Sequence, residues 1–86
     1  IGSGLEPETV LHSADDGDVA RLIMGFGLTR REAEVALMLA EGKSKVAIAE
    51  LLVLSENTVR GYAKNAYAKI GVHSKRELQQ AIREMR

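Results

Sequence analysis

Cysteine and tryptophan are absent from this 86-residue chain, phenylalanine and proline occur once each, and neither sign of charge prevails. Without cysteine there is neither a disulfide framework nor a thiolate metal site, which is compatible with a reducing cytoplasm. Without tryptophan, and with Phe26 as the single phenylalanine, a core has to be aliphatic, built from Leu, Ile, Val and Ala. Long apolar runs are missing too. The longest, Val35 to Ala40, is six residues, whereas spanning a bilayer takes ~18 or more. The two histidines, His12 and His73, are far apart in sequence and have no cysteine beside them, so no metal site is expected. No Gly-rich phosphate loop, nucleophile elbow or His-Glu motif occurs, so neither a cofactor nor an enzyme activity is expected.

What remains is enough for one small domain. Its 45% hydrophobic content with a single proline favours helix. The formal net charge of zero conceals an asymmetry. Residues 1–27 carry one basic residue (Arg21) and five acidic ones (Glu6, Glu8, Asp15, Asp16, Asp18), a net of −4. Residues 28–86 carry eleven basic and seven acidic residues, a net of +4. From Asn57 to Arg76 there are five Lys or Arg and no acid. A local positive field of that kind favours a polyanionic partner; the plainer alternative is a solvated helix face.

That basic segment overlaps the most informative stretch, Ser44 to Ile70, which reads as two helices around an apolar corner. Ser44 is placed to cap the first helix, and Ile48, Ala49 and Leu52 share one face. Val53-Leu54 form the corner and Ser55 offers the next cap. Leu54 and Val59 are spaced as a hydrophobic staple across that cap. Beyond it, Val59, Ala63, Ala66, Tyr67 and Ile70 line an inward stripe, opposite Asn57, Arg60, Gly61 and Lys64. A short helix, a tight turn and a longer helix with a basic outer face point to helix-turn-helix DNA recognition.

The flanks fit one all-α domain over residues 18–86, a compact four-helix unit with a short helical lead-in. Residues 1–17 are expected to be a disordered linker or expression remnant, with a short helix from Glu8 to Ser13 as the alternative. Ile1 to Gly4 has the look of such a remnant, and the chain reads as a piece of a longer protein. Asp18 is expected to cap a brief helix carrying Val19, Leu22, Ile23 and Phe26, with Met24 filling a gap. Thr29 to Glu32 is a capping box. The helix after it is expected to bury Ala33, Val35, Ala36, Leu39 and Ala40 and to stop at Gly42. Gly71 closes the long helix likewise. Ser74 to Glu77 forms a second capping box and opens a last helix striped by Leu78, Ala81, Ile82 and Met85.

Five segments, taken together, carry a resemblance. L-T-x-R-E-x-E-V runs from Leu28 to Val35 and L-A-x-G-x-S from Leu39 to Ser44; Ile48-Ala49, S-E-N-T-V-R at Ser55 to Arg60 and K-I-G-V-x-S at Lys69 to Ser74 follow. The pattern resembles the C-terminal DNA-binding domain of LuxR-type (LuxR/GerE) bacterial transcription regulators. The resemblance implies a helix over about 56–70 in the major groove of double-stranded DNA, with Arg60, Gly61 and Lys64 facing bases. Arg60 suits a bidentate contact to guanine. Gly61 permits either close backbone approach or is a tolerated small residue. Ser44, Lys45, Ser55, Asn57, Thr58, Lys69, Lys75 and Arg76 become phosphate contacts. The resemblance further implies a homodimer through the last helix, with Leu78, Ile82 and Met85 as its contacts, and an upstream regulatory domain. It also implies a bacterial cytoplasmic protein whose full length is open to membrane anchoring.

Three departures stand out. Lys45-Val46-Ala47 replaces the family's frequent Asn-Lys-Glu, and Tyr62 replaces its frequent histidine. Apolar Leu37, Val46, Leu51 and Val53 occupy positions usually free to vary, either as extra core or as a docking surface. Two rival readings follow: a sigma-factor-like promoter-reading domain that also binds RNA polymerase, and a protein-interaction module on the same fold.

Overall fold

The computed structural model describes residues 16–86; residues 1–15 of the linker expected over 1–17, the alternative helix at Glu8 to Ser13 and His12 lie outside them, while residues 16–17 already belong to a helix. Five helices and no strand make up the described residues: α1 (Asp16–Phe26), α2 (Arg30–Ala40), α3 (Lys45–Leu52), α4 (Glu56–Ile70) and α5 (Lys75–Met85). The fold is all-α, four helices plus the lead-in α1.

α2 is the pivot, packing against each of the other four helices. Its sequence explains this. Val35 to Leu39 is apolar all round, and every one of these side chains is buried, as a helix enclosed on all sides requires. Leu37, open between extra core and docking surface, is buried there with Met38, beside Ala33, Val35, Ala36 and Leu39, while Ala40 is only partly buried, so Leu37 is core.

The helix ends follow local chemistry. The Thr29 hydroxyl accepts from Glu32 N–H at 3.2 Å and the Glu32 carboxylate accepts from Thr29 N–H at 2.9 Å, a reciprocal capping box. Ser44 and Ser55 cap α3 and α4 by accepting from Ala47 and Thr58 N–H. Gly42 and Gly71, at φ 98° and 85°, end α2 and α4 in the left-handed geometry that glycine adopts without strain. Before α5 the box is altered. Ser74 accepts from Glu77 N–H, but Glu77 returns to His73 N–H at 2.7 Å rather than to Ser74.

Several expectations are corrected. α1 begins at Asp16, so Asp18 lies inside the helix rather than at its cap. The Asp18 side chain is buried and accepts from Arg21 at 3.0 Å and from Arg86 at 2.6 Å, tying α1 to the end of α5. Met24 fills no gap: it is 84% exposed, because the inner face of α1 is already taken by Val19 and Leu22 with Ile23 and Phe26 beside them. Leu78 and Ile82, expected at a dimer contact, are buried in the core, Leu78 completely. The stripe of α5 packs on α2 within the chain, and Gln79 donates to the Ala40 carbonyl at the end of α2 at 2.9 Å. Only Met85 of the three retains exposed surface.

Candidate nucleic-acid interface

The turn between α3 and α4 sets their crossing. Val53 takes φ 57°, ψ 53°, the one non-glycine residue with positive φ among those described. Leu54 then turns back onto the core, with its N–H donating to the Ala49 carbonyl at 2.9 Å. Leu54 therefore folds inward as Val59 is buried one turn into α4, in keeping with the expected staple. α4 packs Val59, Ala63 and Ala66 inward and leaves Asn57, Arg60, Gly61 and Lys64 exposed.

Ion pairing separates the basic residues into two groups. Arg30 and Arg31 pair with Glu34, Lys43 with Glu41, and Arg21 and Arg86 with Asp18. Lys45, Lys64, Lys75 and Arg76 pair with no carboxylate among the described residues, and Arg60 reaches Glu56 only at 4.0 Å across exposed surface. Lys45, Arg60 and Lys64 converge on one shallow cleft of about 350 Å³, floored by Leu39, Ala63 and Tyr67. Lys75 joins Lys45 and Ser44 in the adjoining cleft. Arg76 does not join them: it lines a separate hollow between the end of α4 and α5, with His73 and Glu84.

Lys69 belongs with the paired residues. Its ammonium donates to Glu32 Oε1 at 2.8 Å, and the Glu32 side chain is only 6% exposed. This bond, together with that from Thr29 N–H, holds the Glu32 carboxyl below the ordinary glutamate range. The pair locks α4 onto the first turn of α2, so Lys69 orients the helix and its charge is largely spent within the fold. The hydroxyls also differ. Ser55 accepts from Thr58 N–H and donates to Thr58 Oγ1 at 2.9 Å, which leaves the Thr58 hydroxyl, rather than that of Ser55, a proton to donate to a partner. The Ser44 hydroxyl is engaged only as an acceptor and keeps its proton for a partner.

Beyond the backbone of its own helix, no protein atom lies within 4 Å of where a Gly61 Cβ would stand, so packing inside the chain does not demand a glycine there. Sequence reasoning missed Tyr67, assigned to the inward stripe. Its ring is half-buried, yet it borders both cationic clefts. The 3.6-residue period offered a signal: Tyr67 lies three residues past Lys64 and seven past Arg60, at the rim between inner and outer faces.

Comparison with known proteins decides the family. The family model described as bacterial regulatory proteins, luxR family, matches residues 27–82, nearly all of α2 to α5. The chain belongs to the LuxR family. With membership comes a DNA-binding helix-turn-helix domain of transcription regulation. Among LuxR-family relatives, the transcriptional activator protein ExaE of Pseudomonas putida is 43% identical over 67 residues, 78% of this chain and 30% of that protein. The spore germination protein GerE of Bacillus subtilis is 47% identical over 45 residues, 52% of this chain and 61% of its own length. The fimbriae Z protein of Salmonella typhimurium is 43% identical over 51 residues, 59% of this chain and 24% of that protein. Apart from GerE, the chain spans 24% to 35% of the curated relatives it matches. No solved structure matches at comparable significance. No helix among the described residues is long and apolar enough to cross a membrane.

Proposed function

We propose that this LuxR-family domain reads double-stranded DNA by inserting α4 into the major groove, with Arg60 and Lys64 toward base edges and Gly61 allowing close backbone approach. The observation that carries this reading is the convergence of Lys45, Arg60 and Lys64, without close carboxylate partners, around one cleft beside α4. Lys45, Ser44, Asn57, Thr58 and Lys75 hold phosphates, aided by the exposed first-turn N–H groups of α3 and α4. Ser55 acts through its cap and through Thr58, Lys69 acts through Glu32, and Arg76 reaches a more distant phosphate. The domain is part of a longer cytoplasmic regulator whose upstream region senses the signal, and two copies brought together by that region or by DNA read half-sites about one turn, ~34 Å, apart.

Fluorescence anisotropy with a randomised duplex pool at ~50 and ~200 mM salt tests this. If Lys45, Arg60, Lys64 and Lys75 neutralise about four phosphates, log affinity falls with log salt at a slope near −3.6, that is ~0.9 per phosphate. Arg60→Ala and Lys64→Ala each weaken binding, by ~5- to 100-fold where a base contact is lost. Absence of binding at low salt, even from an artificially dimerised chain, would refute the DNA reading.

A second reading, protein interaction, draws on Val46 and Leu51, which are 51% and 57% exposed on α3. Val46 borders the Lys45–Lys75 cleft, where apolar docking would be insensitive to salt, and the same titration separates the two.

A further inference from the structure

Tyr67 is an odd residue for its place. It sits on the core side of α4, where alanines and valine pack, yet it carries a hydroxyl. That hydroxyl makes no hydrogen bond among the described residues, and no buried side-chain oxygen among them lacks a partner. The Tyr67 hydroxyl therefore reaches solvent while its ring is half-buried. The ring packs against the core beside Leu39 and Ala63, and with Leu39 and Lys45 the residue lines both of two adjoining clefts. One cleft presents Lys45, Arg60 and Lys64; the other presents Ser44, Lys45 and Lys75, with Glu56 at its edge and Lys43 already paired with Glu41.

We infer that Tyr67 is a further DNA-binding residue: its phenol donates a hydrogen bond to a backbone phosphate held between Lys45 and Lys64. The inference rests on the DNA reading above and adds to it a contact placed behind the base-facing residues. A phosphate between two ammonium groups needs acceptor satisfaction as well as charge neutralisation, and a ring anchored in the core supplies a donor with little conformational entropy to lose. Burial raises the Tyr67 phenol above its ordinary value, so it stays protonated, and a donor, throughout the neutral range. Being neutral, it displaces no counterion.

That last property makes the contact separable from the lysines. Tyr67→Phe keeps the ring and removes only the donor. Its affinity for a pool randomised over ~20 base pairs, about two helical turns, is expected to fall about three- to tenfold. The salt slope should match that of the unsubstituted chain, whereas Lys64→Ala loses affinity and ~0.9 of slope. Melting curves for both variants, expected to superimpose on the parent, show that the fold is intact. Tyr67→Phe binding as tightly as the parent, while Lys64→Ala is weakened, overturns this inference and leaves the DNA reading standing. A parallel loss of melting temperature and affinity in Tyr67→Phe assigns the residue to packing and overturns it equally. If the parent chain itself does not bind, the DNA reading fails and the inference with it.

Discussion

Single residues in this domain separate what the fold requires from what a partner requires. Gly61 is the clearest case. A mid-helix glycine costs ~1 kcal/mol relative to alanine, and no neighbouring atom would meet a Cβ. Gly61→Ala is therefore expected to raise the thermal midpoint by ~4–8 °C, measured by circular dichroism, and to weaken DNA binding if the backbone lies against the duplex. Glu32 is the opposite case, a buried acid that the fold needs. Its carboxyl is held down chiefly by Lys69 and then by Thr29 N–H. A depressed carboxyl contributes stability above its unfolded value, ~4.3, and loses it as pH falls through the lower folded value. Glu32→Gln should cost ~1–3 kcal/mol at neutral pH, and the gap to the parent should narrow as pH falls from the unfolded value, ~4.3, through the lower folded one. Urea unfolding at pH 7 and pH 3.5 checks this; an equal gap at both would mean that the charge contributes nothing.

Elements were legible where their signals are local. The Thr29, Ser44 and Ser55 caps, the glycine stops and the two faces of α4 follow from spacing alone, and the structure contains them. What was not legible depended on partners distant in sequence. Nothing near Lys69 announces Glu32, 37 positions earlier, and nothing near Asp18 announces Arg86, 68 positions later. The stripe of α5 was visible, but periodicity does not say whether a stripe meets its own core or another copy. The same limit applied to Tyr67, since a rim position belongs to both faces. The α3–α4 corner was readable as a turn, but not its conformation. Val53 is β-branched, 87% exposed and left-handed, a combination that gains little burial and costs ~1–2 kcal/mol. Val53→Asn or Val53→Gly should stabilise the domain by about 1 kcal/mol, read as a rise in urea midpoint at constant slope. A fall instead would mean that Val53 makes contacts worth more than its strain.

Across the whole molecule, the apolar surface of α5 is spent on α2, and this bears on assembly. A stable dimer interface takes ~800 Å² from each partner. On α5 the apolar surface left over is the exposed part of Met85 and Ala81, beside polar Gln80, Arg83 and Glu84. The isolated chain is therefore expected to sediment as a 9.4 kDa monomer at micromolar concentration. Leu78→Ala distinguishes the two roles of the stripe. If Leu78 were a dimer contact, the variant would be a folded monomer of near-parental stability. As a fully buried core residue, it should instead lose ~2–5 kcal/mol, a large part of the stability of a domain this small. The melt should move down accordingly with no change in sedimentation of the folded fraction. A melt that stays put while a parental dimer dissociates would return Leu78 to the interface and imply that α5 swings away from α2 in solution.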